Sequence, residues 1–221
     1  MVVLATKLYV HGEARDRAKR SLAALVENAL GDLDVEMEIG IRHDEFPAVT
    51  LEGPDAAVAR NVLAEEWGTI RTPLPETGPI VGTLEGWDEN GFHLDAGESV
   101  IIPPAGIDLG TGDPARLVER FGLVQHQRLR FEPGPSPELA PRTLDQLFEW
   151  QRGPGRVNVN CVTRAEARAA VNRAGHAADI VTVERLGLLE QSIVCRAGTD
   201  PPGILAAVGA HLPGEMRCVM P

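Results

Sequence analysis

The sequence predicts an α+β protein with a β-α-β-β-α unit at each end and a small all-β segment between them. Three observations support this prediction. Apolar residues recur with strand and helix periods in the same order near both termini. Short strand-like runs separated by glycine turns fill the middle of the chain, and proline-rich linkers occupy residues 71–79 and 133–141. We therefore predict domains at residues 1–72, 77–132 and 142–221.

In the N-terminal unit, segments with the hydrophobic period of a strand and segments with that of a helix follow one another along the chain. The predicted elements are strand 2–10, helix 13–30, strand 35–41, strand 48–52 and helix 55–67. Glycine follows each helix, at Gly31 and Gly68, where a chain commonly leaves helical geometry. The predicted order is therefore β-α-β-β-α.

The middle segment contains short predicted strands at residues 80–87, 92–95, 98–103 and 124–131. They lie in VGTLEGWDENGFHLDAGESVIIPPAGIDL and in GLVQHQRLRF, and these strings resemble an S1-type oligonucleotide-binding (OB) barrel. This resemblance implies a nucleic-acid-binding face on which Phe92 and His93 stack on bases while Arg128 and Arg130 contact phosphates. In the competing interpretation Phe92 is a core residue and the two arginines lie on a solvated edge.

The C-terminal unit extends the same order by one strand. Its predicted elements are strand 157–162, helix 164–174, strands 180–186 and 188–195, a helix beginning at Pro201 and strand 216–220. Thr163 and Glu166 form a capping-box pattern, and Asp200 is a favourable N-cap. The order β-α-β-β-α-β is typical of a ferredoxin-like sandwich, in which both helices cover one sheet face and leave the other free. We predict ferredoxin-like units at both ends of the chain.

Charge is distributed unevenly along the chain. The formal net charge is −11, yet residues 133–221 carry nine acidic and nine basic side chains, so the excess lies in residues 1–132. Lys7 and Lys19 are the only lysines among 21 basic residues. An acidic surface poor in lysine resembles that of proteins from salt-loving archaea. In strong brine a nucleic acid would have to be held by specific arginine hydrogen bonds, because counterion release contributes little there.

Arginines are concentrated near the C-terminus. Arg164 and Arg168 are four residues apart on a predicted helix and share a face, which suits contact with a phosphate backbone. The competing interpretation is that internal salt bridges neutralise these side chains. The candidate nucleic-acid-binding residues are Phe92, His93, Arg128, Arg130, Arg156, Arg164, Arg168 and Arg173.

No motif indicates a catalytic centre, a metal site or a cofactor. The three cysteines lie on predicted strands and are interpreted as buried reduced thiols. His176 has no nucleophile partner in the sequence pattern, which favours a structural role. The turn at residues 198–203, GTDPPG, lacks the glycine-lysine pair of a phosphate loop. It resembles the turn of ACT regulatory domains, which implies an amino-acid-sensing module.

Nearly the whole chain resembles a conserved archaeal, haloarchaeal-type family of unknown function. The segments that carry this resemblance are VNVN-x-x-TRAE, NRAGHA-x-DIVTVERLGLLEQS and CRAGTDPPG. We predict a non-enzymatic nucleic-acid-binding factor, with RNA or a nucleoprotein machine such as the ribosome or RNA polymerase as its partner, in archaeal transcription or translation. The alternative is a ligand-sensing regulator with an ACT-like C-terminal unit. The absence of a long apolar run predicts a cytoplasmic protein without a membrane partner.

Overall fold

The computed structural model describes residues 1–220, and within them the chain forms an α+β fold with three antiparallel sheets and seven helices. One sheet belongs to each of the N-terminal, central and C-terminal units. None of the helices in this range has the length and apolar character needed to cross a membrane.

The N-terminal unit contains a three-stranded sheet and two helices. Its elements are β1 (Val2–Val3), α1 (Gly12–Leu30), β2 (Glu36–Ile41), β3 (Pro47–Glu52) and α2 (Ala56–Trp67), and the sheet order is β1-β3-β2. Strand β1 is much shorter than the predicted strand 2–10. Beyond Val3 the chain is buried among neighbouring segments. Leu4 N donates to the carbonyl of Pro47 at 2.8 Å, and Leu4 forms an isolated bridge with Thr69, but no continuous ladder follows. Burial without regular strand pairing therefore accounts for the apolar run that suggested a longer strand.

The central unit is built on a five-stranded sheet that curls into half of a barrel. Its elements are β4 (Ile80–Asp88), β5 (Gly91–Asp95), β6 (Ser99–Ile102), α3 (Pro104–Ile107), α4 (Pro114–Phe121), β7 (Arg128–Glu132), β8 (Glu138–Leu139) and α5 (Pro141–Arg152). The strand order is β6-β5-β4-β7-β8, with β6 and β8 at the two edges. The predicted strand 124–131 begins only at Arg128.

Helices α4 and α5 fill the core of the central unit. Phe121, Leu147 and Trp150 belong to the same apolar cluster as the sheet residues. Helix α5 thus packs with the central unit, whereas the sequence pattern grouped it with the C-terminal unit. Helix α4 has a readable start signal, since Asp113 caps it through Arg116 N and Pro114 occupies its first turn.

The C-terminal unit is a four-stranded antiparallel sheet with two helices. Its elements are β9 (Arg156–Val159), α6 (Arg164–Arg173), β10 (Ile180–Arg185), β11 (Gln191–Cys195), α7 (Pro201–Gly209) and β12 (Met216–Val219), in the sheet order β10-β11-β9-β12. Both predicted caps are confirmed. The Thr163 hydroxyl accepts from Glu166 N while the Glu166 carboxylate accepts from Thr163 N, and Asp200 accepts from Gly203 N.

The second face of the C-terminal sheet packs against the central unit. Asn158 Nδ2 on β9 donates a 2.7 Å hydrogen bond to the carbonyl of Gly122, which ends α4. The approach is so close that a Cβ at Gly122 would lie 2.7 Å from Cγ2 of Val219. The expectation that this face stays free was wrong, because burying it against α4 removes further apolar surface from water.

Candidate functional site

Phe92 lies in the core of the central unit. It is fully buried, whereas its neighbour His93 is partly exposed. Consecutive residues of a strand point to opposite faces, so Phe92 and His93 cannot share a face on β5. The expectation that Phe92 forms a stacking platform for bases is therefore corrected. His93 is itself engaged, with Nε2 2.9 Å from Asp88 Oδ1, and this contact lowers the pKa of Asp88.

Arg128 holds the three units together. Its Nε donates to the carbonyl of Leu186 at 3.0 Å, and Nη1 donates to the carbonyls of Trp67 at 3.1 Å and Glu66 at 3.3 Å. The guanidinium also lies over the Trp67 ring, with Cζ 5.2 Å from its centroid. Burial lowers the pKa of Arg128 to about 10. This side chain is occupied by the protein and is not on a solvated edge.

Arg130, two residues further along β7, has no carboxylate partner within 4 Å among residues 1–220. Burial lowers its pKa, and the nearby positive charge of Arg142 lowers it further. The main chain of Arg130 is fixed by Thr143, whose hydroxyl accepts from Arg130 N and donates to Arg130 O, both at 3.0 Å. This contact positions the start of α5, and with it Arg142, beside Arg130.

A cavity of about 310 Å³ opens where the three units meet, and we call it the junction cavity. Its basic lining residues are Arg128 and Arg130 on β7, Arg142 on α5 and Arg185 on β10. The Nη1 of Arg185 lies 3.1 Å from Glu66 Oε1, which neutralises one of these charges. Gln127, adjacent to Arg128, lines the same cavity.

Two neighbouring cavities continue this basic surface. One, of about 260 Å³, shares Val81 and Arg130 with the junction cavity and is also lined by Arg71. The other, of about 310 Å³, shares Arg71 with the second and is lined by Arg60 as well.

We call Arg60, Arg71, Arg130 and Arg142 the arginine groove. Within residues 1–220 none of the four lies within 4 Å of a carboxylate.

The arginines predicted near the C-terminus fall into two groups. Arg156 is engaged, because Nη1 lies 2.9 Å from Glu184 Oε2 and 3.1 Å from Ser192 Oγ while the guanidinium lies over Trp150. For Arg156 the salt-bridge interpretation is the correct one.

Arg164 is exposed but donates from Nε to the carbonyl of Val183 at 2.6 Å. Arg168 and Arg173 are exposed, without a carboxylate within 4 Å in the described part of the chain.

The cysteines and His176 have structural surroundings. Cys195 is buried, while Cys161 and Cys218 are partly exposed; all three are free thiols, and burial raises the pKa of each, that of Cys218 to about 11. Cys161 follows β9 in a left-handed conformation with φ of 63°, so its predicted place on a strand was wrong. His176 Nδ1 lies 2.7 Å from Asp179 Oδ2. In residues 1–220 no group of three or more His, Cys, Asp or Glu side chains is arranged to hold a metal ion.

A buried polar cluster joins the three units on a path separate from Arg128. Tyr9 OH donates to Glu190 Oε1 at 2.7 Å and accepts from Cys161 N at 3.0 Å, while its ring lies 3.9 Å from the ring of His126. Glu190 is fully buried, and burial raises its pKa to about 8. The sequence contains a signal for this residue, because Glu190 is a single acid inside the apolar run LGLLEQSIV.

Family models describe almost the entire chain. The DUF2110 N-terminal domain matches residues 1–73, the DUF2110 central domain residues 76–151 and the DUF2110 C-terminal domain residues 154–220. The central match includes α5, in agreement with the packing of that helix. Neither the curated proteins nor the solved structures compared with the chain include a match. Since the three matches leave only short gaps, the protein belongs to the DUF2110 family, a family of unknown function.

Proposed function

We propose that the protein is a non-enzymatic RNA-binding factor and that the RNA backbone binds along the arginine groove. The observation that carries this proposal is that the four groove arginines line adjoining cavities and have no carboxylate within 4 Å among residues 1–220. The chain has 32 acidic and 21 basic side chains, so partners are plentiful. Within residues 1–220 seven of the 21 basic side chains have one, so the groove arginines are distinguished by lining adjoining cavities as well as by lacking a partner. Basic side chains left together in such a protein favour an external anion.

Guanidinium groups suit a phosphate backbone held in strong salt. Each can donate two parallel hydrogen bonds to phosphate oxygens, a geometry that salt weakens less than it weakens a diffuse field. Arg60 lies on α2, Arg130 on β7 and Arg142 at the start of α5. Arg71 lies in the segment that follows α2. Such placement gives fixed spacing between phosphate contacts.

Two features support the finer fold assignments within this proposal. The C-terminal sheet order β10-β11-β9-β12 is the order expected of a ferredoxin-like sandwich, and β1-β3-β2 repeats three of its positions. The central order β6-β5-β4-β7-β8, with helices between β6 and β7, supports an open OB-like sheet.

Acid excess and the use of arginine in place of lysine support a haloarchaeal, cytoplasmic setting. In that setting the proposed partners are RNA within the ribosome or the RNA polymerase complex.

The proposal is tested by measuring the affinity of the full chain for single-stranded RNA by fluorescence anisotropy over a range of KCl concentrations. We expect the double variant Arg130→Ala, Arg142→Ala to weaken binding of every sequence and to reduce the salt slope by roughly 0.7 for each lost phosphate contact. Arg20→Ala, at an exposed position on α1, is the matched control. RNA affinity equal in the wild type and the double variant would contradict the proposal.

A fourth cavity, which shares no lining residue with the three of the arginine groove, supports the alternative of a ligand-sensing regulator. It measures about 250 Å³, lies beside α6 and is lined by Arg173, His211 and Cys161. The ACT-like turn itself is occupied, because Asp200 caps Gly203 N at 3.1 Å. Calorimetric titration with amino acids tests this alternative. Heat of binding that disappears in Arg173→Ala, together with no RNA binding, would favour it.

A further inference from the structure

Gln127 lines the junction cavity and carries a buried amide oxygen without a hydrogen-bond partner within residues 1–220. The residue is 3% exposed, and this oxygen is its Oε1. Its main chain is fully engaged, since its N–H donates to the carbonyl of Val124 and its carbonyl accepts from Leu84 N. A buried amide oxygen without a donor costs free energy that a ligand hydroxyl or amino group would recover.

Positive charge in the junction cavity exceeds the negative charge that faces it. The charged residues of its lining are four arginines, Arg128, Arg130, Arg142 and Arg185, and two glutamates, Glu65 and Glu66, so the formal charge of the wall is +2 (four minus two). Arg130 and Arg142 repel one another and have no carboxylate within 4 Å in the described part of the chain, whereas Arg185 is paired with Glu66. An internal phosphodiester of RNA carries one negative charge, but a phosphomonoester carries about 1.5 to 2 at neutral pH. Charge matching at this one point therefore favours a phosphomonoester.

The size and place of the cavity agree with the end of a strand. Its volume of about 310 Å³ is near the lower limit of small-ligand sites, which have roughly 300 to 1,000 Å³. It also lies at one end of the series of three cavities, since it shares lining residues with the second and none with the third. A strand that follows the arginine groove would therefore reach this cavity at its end.

We propose that the junction cavity binds the terminal nucleotide of the RNA, with Arg130 and Arg142 on its phosphomonoester and Gln127 Oε1 accepting from a ribose hydroxyl or a base amino group. This inference rests on the proposed RNA-binding function. It adds the position of one end of the RNA strand and the chemical group, a phosphomonoester, that this end carries.

The experiment compares short single-stranded RNAs of one sequence that differ only at their ends. One RNA carries a 5′-phosphate and another a 3′-phosphate, and the affinity of each is compared with that of the same RNA ending in a hydroxyl group. Free uridine monophosphate, which carries the same phosphomonoester, is used as a competitor. The label is attached to the opposite end in each case. We expect one phosphorylated end to bind on the order of tenfold more tightly than its hydroxyl form, as expected of charge-assisted hydrogen bonds.

Variants separate the cavity from the rest of the groove. Arg142→Ala should bring the affinity ratio between phosphate and hydroxyl ends towards one, and Gln127→Ala, which removes the proposed contact with the sugar or base, should weaken competition by uridine monophosphate. Arg60→Ala and Arg71→Ala should weaken both RNAs alike and leave the ratio unchanged. The exposed position of Arg142 keeps the test independent of folding, and thermal melting of Gln127→Ala checks that its core survives.

Equal affinity for phosphate and hydroxyl ends, with binding still dependent on Arg60 and Arg71, would overturn the terminal-nucleotide site and leave the RNA-binding function standing. No affinity for any RNA would overturn both. A phosphate preference that persists unchanged in Arg142→Ala would place the strand end elsewhere and also overturn the inference.

Discussion

The hydroxyl of Tyr9 donates a 2.7 Å hydrogen bond to the carboxyl group of Glu190, 181 residues further along the chain. The same hydroxyl accepts from Cys161 N, and the Tyr9 ring stacks against His126 of the central unit. One phenol thus connects the N-terminal, central and C-terminal units at a buried point.

Removing the hydroxyl should destabilise the whole protein. We expect Tyr9→Phe to lower the free energy of unfolding by about 1–3 kcal/mol, because a buried carboxyl oxygen loses its donor and Cys161 N loses its acceptor. Urea denaturation followed by circular dichroism measures this change. In a double-mutant cycle with Glu190→Gln the two effects should not add, since both alter the same contact. Additive effects would show that the hydrogen bond contributes little.

Glu190 should make stability depend on pH. Its pKa is 4.5 in the unfolded reference and about 8 in the folded protein, because burial disfavours the charged form. Between these values the folded state keeps a proton that the unfolded state has lost, so the free energy of unfolding falls as the pH rises from about 4.5 to 8.

Glu190→Gln cannot titrate, and we expect it to melt about 3–6 °C above the wild type at pH 8 and close to it at pH 5. Differential scanning calorimetry at the two pH values measures this difference. Glu149→Gln, on the exposed side of α5, is the matched control and should show no such pH-dependent difference. A Glu190→Gln variant that follows the wild-type pH dependence would show that another group is responsible.

Two arginines on β7 should behave in opposite ways. Arg128→Ala should cost about 2–4 kcal/mol of stability, because three main-chain carbonyls lose their donor at the junction of the units. Arg130→Ala should change stability by no more than about 0.5 kcal/mol, since its guanidinium has no carboxylate partner among residues 1–220. Chemical denaturation of both variants, with RNA affinity measured for Arg130→Ala, checks the pair. Severe destabilisation by Arg130→Ala would mean that this residue holds the fold and not a ligand.

The arginines of α6 provide an independent test of how far the interface extends. Arg164→Ala combined with Arg168→Ala should lower the melting temperature only slightly, because both side chains are exposed, a single hydrogen bond from Arg164 to the Val183 carbonyl is lost, and neither contacts a carboxylate among residues 1–220. If this helix face also contacts the backbone, RNA affinity will fall for every sequence. Unchanged RNA affinity in this variant would restrict the interface to the arginine groove, and a collapse of the melting temperature would assign both residues to the fold.

Local structure is the part of this fold that the order of residues predicts well. Hydrophobic periods and end signals such as the Thr163 and Glu166 capping box depend on residues close together in the chain, so the α+β class and most helices and strands of the terminal units could be read directly. Two helices of the central unit, α3 and α4, were missed although Asp113 and Pro114 mark the start of the second. Side chains alternate between the two faces of a strand, so the sequence also indicates that Phe92 and His93, which are consecutive on β5, lie on opposite faces.

Which side chains remain available for a ligand depends on how the three units pack together. Arg128 and Arg130 look alike in the sequence, yet one is held by carbonyls from two other units and the other lines an open cavity. Arg60 and Arg142 are far apart in the chain and reach the same groove only because α2 packs on the N-terminal sheet, α5 packs on β7, and the two units meet. Burial, hydrogen-bond partners and charge proximity arise from contacts between residues distant in sequence, and no local pattern encodes them.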